Sequence, residues 1–113
     1  MNIKFQLLWS QSSVSTFSAQ TIPLDLSGYN FVLVFFTDSA AGWANDGASV
    51  LIKVNSGFKY KCLTQGGGKV RYRQVSATSS GVTFESGVNI ETYSQETANN
   101  NYTIPVSIYG IRL

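Results

Sequence analysis

The chain has no histidine and one cysteine, Cys62, among its 113 residues. The commonest general base and the commonest metal ligand are therefore missing. Ser-His-Asp and Cys-His nucleophiles, and zinc sites built on histidine, cannot form within one copy. A single cysteine makes no internal disulfide. Charge is also scarce, at 12% of residues, about half the usual share. The longest apolar run, Phe31 to Phe36, is too short to cross a bilayer as a helix. The start, MNIKFQLLWS, shows no basic region followed by a long apolar stretch. No signal peptide, membrane partner or cofactor is expected, and synthesis is assigned to a cytoplasm.

What takes the place of charge is Gly, Ser, Thr, Asn and aromatic residues, arranged with a period of two. Ile3-Lys4-Phe5-Gln6-Leu7, Val50 to Val54, Phe58 to Cys62 and Val70 to Arg73 alternate, and Val82-Thr83-Phe84 and Val88-Asn89-Ile90 repeat the pattern briefly. Phe31 to Phe36 is apolar on both parities, which predicts a central strand buried on both faces. Turn residues punctuate these runs. Asn55-Ser56-Gly57 and Gly66-Gly67-Gly68 sit at hairpin spacing, Asp38 to Ser49 forms a long loop, and Ser79-Ser80-Gly81, Ser86-Gly87 and Ala98 to Asn101 mark further turns. Pro23 belongs at an edge or a bulge. The sequence predicts one all-β domain over residues 1–113: an antiparallel β-sandwich, jelly-roll-like, of about eight or nine short strands.

The few charges are unevenly placed. Residues 47–84 hold six bases and no acid, whereas the rest of the chain holds two bases against six acids. Lys59 and Lys61 alternate with Phe58, Tyr60 and Cys62, and Arg71 and Arg73 alternate with Val70 and Tyr72. A hairpin through the Gly-rich turn would put the four cations on one sheet face and the aromatics on the other. Such a face is either a solvated surface or a contact for an anionic partner. Nucleic acid fits poorly, because the aromatics alternate inward and offer no stacking platform.

Other groups with chemical potential are sparse. Glu85 and Glu91 flank a predicted hairpin and Asp38 and Asp46 flank a loop, but glycosidases need two carboxylates at a defined separation around a cleft. The acids of the Asp38 loop lack the dense spacing of a calcium loop, and Gly66 to Gly68 is not followed by the Lys-Ser/Thr of a phosphate loop. Asn101-Tyr102-Thr103 matches a glycosylation sequon and reads as a turn. Cys62 reads as a small buried hydrophobe. Trp43, alone among small residues in Ala40 to Gly47, either plugs the end of the sandwich or stacks on a sugar or protein partner.

Several stretches together resemble a phage pattern. Leu8-Trp9 is followed by Gln20-Thr21-Ile22-Pro23-Leu24-Asp25-Leu26-Ser27-Gly28-Tyr29 and an apolar strand. Later, Arg71-Tyr72-Arg73 leads into Gly81-Val82-Thr83-Phe84, and the chain closes on Ile104-Pro105-Val106-Ser107-Ile108-Tyr109-Gly110-Ile111. This is similar to small structural proteins, and C-terminal modules of tail-associated proteins, from phages and prophages of Gram-positive bacteria. The resemblance spans nearly the whole chain and its motifs are structural. It implies a virion β-sandwich without enzyme activity, oligomeric with a trimer favoured, in contact with other virion proteins. Tail, receptor-binding and capsid-surface locations all fit it. A cell-wall or host-glycan module, using Trp43 and the cations Lys59, Lys61, Arg71 and Arg73, is the alternative.

The closing strand changes parity. Ile104, Val106 and Ile108 share one side, and Tyr109, Ile111 and Leu113 share the other. A bulge at Gly110 would return the second set to the core and is the expected geometry. The other solution is that Tyr109, Ile111 and Leu113 pack against a neighbouring subunit.

Overall fold

A computed structural model of the chain describes residues 3–12, 14–39, 47–66, 69–92 and 95–113. Among the described residues there are nine strands: β1 (Lys4–Ser10), β2 (Gln20–Pro23), β3 (Phe31–Ser39), β4 (Ala48–Lys53), β5 (Tyr60–Gly66), β6 (Lys69–Thr78), β7 (Gly81–Thr92), β8 (Gln95–Ala98) and β9 (Tyr102–Arg112). Every pairing is antiparallel. One sheet runs β1-β9-β3-β4; the other runs β2-β7-β6-β5, with β8 also paired to β7. The expected all-β sandwich is the observed fold. Its first three strands alternate between sheets and its last returns beside its first, while β5, β6 and β7 form a plain meander.

The core lies between the sheets. Val32, Val34 and Phe36 of β3, Ile52 of β4 and Ile108 of β9 meet Cys62, Val75, Ala77, Val82 and Phe84 from the other sheet. Phe17 plugs one end of this layer, edge-on to both Phe84 and Trp9. Its backbone N–H donates to the carbonyl of Asn100, which ties the irregular segment before β2 to the turn before β9. Pro23 sits on β2, an edge strand, where its missing N–H breaks no ladder.

Several local expectations are corrected. Asn55-Ser56-Gly57 is not a hairpin: β4 and β5 belong to different sheets, so the segment crosses between them, with Asn55 and Gly57 at positive φ. Ser86-Gly87 is not a turn. Residues 81–92 form one strand, in which two residues, Glu85 and Ser86, oppose the single Gln74 of β6. That bulge switches the buried parity from Val82 and Phe84 to Gly87 and Asn89. The bulge in β9 is not at Gly110. Register shifts between Pro105 and Ser107, so Val106 is the extra residue, and Gly110 stays in the ladder opposite Val32. A Cβ on Gly110 would lie 2.6 Å from the Tyr29 ring and 2.8 Å from Leu8. Gly110 is there for close packing, and Tyr109 and Ile111 are not returned to the core.

Candidate functional site: an apolar sheet face and a buried ionic cluster

The alternation of β3 is the key to the first feature. Its even residues point into the sandwich, so Phe31, Leu33 and Phe35 point out. Cross-strand register then fixes the outer face of this sheet row by row. Phe5, Ile111, Phe31 and Lys53 form one row; Leu7, Tyr109, Leu33 and Leu51 form the next. The third is Ser10, Ser107, Phe35 and Ser49, and there Phe35 meets Tyr109 edge-to-face at 5.8 Å. The two middle strands are the better shielded, with Ile111 only 7% exposed, although Phe35 at the end of the patch is 38% exposed. The edge strands are not shielded: Phe5 is 62% exposed, Leu7 50% and Leu51 51%. The both-faces burial expected of Phe31 to Phe36 is met on the inner face alone. Of the residues proposed to meet a neighbouring subunit, Tyr109 and Ile111 lie on this face, and Leu113 is exposed just beyond β9, its N–H held by Asn30.

The second feature overturns the expected cationic face. Along β6 the buried parity is Arg71, Arg73, Val75 and Ala77, so both arginines point between the sheets. They are 7% and 0% exposed. Opposite Arg71 stands Asp38 of β3, itself fully buried. Arg71 donates to its Oδ2 at 2.8 Å and, through Nε, to Asn89 Oδ1 at 3.2 Å, and stacks 3.9 Å from the Tyr102 ring. The other Asp38 oxygen accepts from Thr64 Oγ1 at 2.8 Å, and Thr64 in turn bonds Thr103 Oγ1 at 2.9 Å. Arg73 has carbonyls for partners: Thr103 O at 2.7 Å, Glu85 O at 2.7 Å and Tyr102 O at 3.1 Å. Burial pushes it down to about 10, so it stays charged at neutral pH. A buried guanidinium is tolerated here because each of its three nitrogens has a carbonyl partner.

This cluster constrains its surroundings. Thr103 has φ of 50°, a left-handed conformation rare for a β-branched residue. It presents its carbonyl to Arg73 and its hydroxyl to Thr64. Gly87 lets the Asn99–Tyr102 turn approach, since a Cβ there would meet the carbonyls of Asn99 and Tyr102.

The remaining candidates separate. Lys59 pairs with Glu85 at 2.9 Å in an exposed ion pair. Lys61 lies 4.3 Å from the Tyr72 ring on the outer face of the other sheet, and Tyr72 donates to Glu96. Glu85 and Glu91 lie on one strand and flank no hairpin turn; Glu91 accepts from Asn89. Asp38 is committed to Arg71 and Thr64. Trp43 and Asp46 lie outside the described residues. Thus the structure brings Arg71 and Arg73 together inside the protein and leaves Lys59 and Lys61 outside. Residues that sequence reasoning missed are Leu33, Phe35 and Leu51, whose outward parity follows from Val32, Val34 and Ile52 facing the core.

Comparison of the chain with protein-family models, with curated proteins and with solved structures finds no match.

Proposed function

We propose that this chain is a non-enzymatic structural protein of a bacteriophage virion, tail-associated or receptor-binding, that assembles as a symmetric oligomer, with a trimer favoured. The observation that carries the assembly part is the apolar outer face described above. The exposed apolar area there is roughly 600 Å², taking about 200 Å² for a fully exposed large side chain, at the top of the range seen on ordinary monomers. Support for a virion comes from the resemblance of the Gln20–Tyr29 stretch and of the Ile104–Ile111 close to phage structural proteins. The ionic cluster fits a scaffold role, since Asp38, Arg71 and Arg73 are spent on holding the two sheets together.

The glycan-binding alternative drew on Trp43, which lies outside the described residues, and on four cations, of which two are buried and a third is paired to Glu85. A capsid-surface location uses the same assembly face and differs only in where the oligomer sits. Purified virions separated into heads and tails and analysed by mass spectrometry test the reading. The chain is expected in the tail fraction. Its presence in heads would move it to the capsid surface, and its absence from virions would refute the reading.

A further inference from the structure

We propose that the outer face of the β1-β9-β3-β4 sheet is the contact between copies of this chain, each presenting that same face to its neighbours around one symmetry axis. The inference rests on the oligomeric reading above and names its surface and its occupant.

Size is the first argument. A stable interface buries about 800 Å² on each partner, and the roughly 600 Å² of exposed apolar surface here, with its polar margin, matches that requirement. Chemistry is the second. The three rows carry no acid and a single base, Lys53, at one corner. A strongly charged partner would therefore find nothing to pair with, and its own charges would lose water without compensation. Among the described surfaces of this chain, the outer face of the other sheet carries exposed Leu63 and Val70 as well, but mixed with Lys61, Gln74 and Glu85, so it is a poorer match. The surface that complements an apolar sheet face is another copy of it, and closed oligomers are built from repeated use of one patch.

The distribution of exposure is the third. Both edge strands are open, at Leu7 and at Leu51, so the area left uncovered spans the full width of the sheet. A ligand confined to one edge would leave the other bare. Ser10, Ser107 and Ser49 bound the patch at one end and Lys53 at the opposite corner, the apolar centre and polar rim of an ordinary interface. The β2-β7-β6-β5 sheet then faces outward.

Light scattering after size exclusion, on the wild type, Leu7→Glu, Leu51→Glu and the control Gln65→Glu, tests the proposal. Leu7 and Leu51 are half exposed in the single sandwich, so a carboxylate there is compatible with its fold. The wild type and Gln65→Glu are expected at the same multiple of 12.3 kDa. Leu7→Glu and Leu51→Glu are expected at a single chain mass with β-sheet circular dichroism retained. If both stay at the wild-type multiple, the face is wrong although the oligomer stands. If the wild type itself is a single chain, the face and the oligomeric reading both fail. Should the glutamate variants unfold, Leu33→Cys decides. Cys62 is buried, so the introduced thiol is the reactive one. Oxidative cross-linking between copies supports the proposal, and Leu33→Cys that alkylates freely without cross-linking overturns it.

Discussion

Replacing Asp38 by alanine is expected to cost more than any single change on the surface. The carboxylate is fully buried and receives two side-chain donors, Arg71 NH1 and Thr64 Oγ1, each at 2.8 Å. Asp38→Ala leaves the Arg71 guanidinium charged inside the sandwich without its carboxylate. Removing one member of a buried pair costs about 3–5 kcal/mol. The Nε bond to Asn89 and the Tyr102 ring still hold Arg71, so the lower half of that range is expected. At about 4 °C per kcal/mol for a domain of this size, the melting temperature should fall by roughly 12–16 °C. An exposed pair such as Lys59–Glu85 contributes about 0–1 kcal/mol, so the two classes separate clearly. Urea unfolding, followed by circular dichroism, measures the loss. Asp38→Ala/Arg71→Met should then be more stable than Asp38→Ala alone, because the uncompensated charge is gone. An Asp38→Ala protein within about 1 kcal/mol of the wild type would refute the buried-pair account. So would a double variant whose loss equals the sum of the two single losses.

Two further outcomes follow from the same interior. Gly87→Ala should destabilise by more than about 2 kcal/mol, because its methyl would press on the Asn99 carbonyl and lie 2.8 Å from that of Tyr102, the latter already fixed by Arg73; a wild-type unfolding curve would show the turn to be adjustable. Burial pushes the Cys62 thiol from 9.0 up to about 11. The folded protein therefore prefers the neutral thiol, and this contribution to stability is present below pH 9 and lost as pH rises towards 11. Labelling with a thiol reagent at pH 8 should be far slower in the native protein than in urea, and equal rates would contradict the burial.

Most strands were legible in the sequence because alternating runs such as Phe58 to Cys62 and Val70 to Arg73 are separated by turn residues. The direction of β6 was not. Val70 and Tyr72 look like the core side and Arg71 and Arg73 like the wet side, when only four residues are read. Extending the window to Val75 and Ala77 reverses the assignment, since 71, 73, 75 and 77 share a parity and the two apolar ones are buried. Tyr72 is also shielded, but on the outer face, beneath Lys61 and bonded to Glu96. Parity is a property of a whole strand. Buried arginine is rare enough that composition overrode it here. The β7 bulge was hidden for a related reason: Ser86-Gly87 has the composition of a turn, and only the register against Arg73 and Val75 of β6 shows that the strand continues through it.

The parity change in the closing strand has a different meaning after this. Ile108 and Gly110 face inward and Tyr109 and Ile111 outward, with no irregularity between them. A strand that is apolar on both parities satisfies itself only if both faces are covered. β9 and β3 share that composition and are adjacent, and so are their outward residues: Leu33 stands opposite Tyr109, and Phe31 opposite Ile111. Among the described residues no second layer covers the outer side of these strands, since the other sheet lies against the inner one. One domain can offer one inner face. Covering the outward side of β9 and β3, together with Leu7 and Leu51 on the flanking strands, is the role that the proposed assembly gives to another copy. A core-type sequence on an outer face is the observation on which the proposed assembly rests, and it is written most plainly in β9, where Tyr109 and Ile111 face outward.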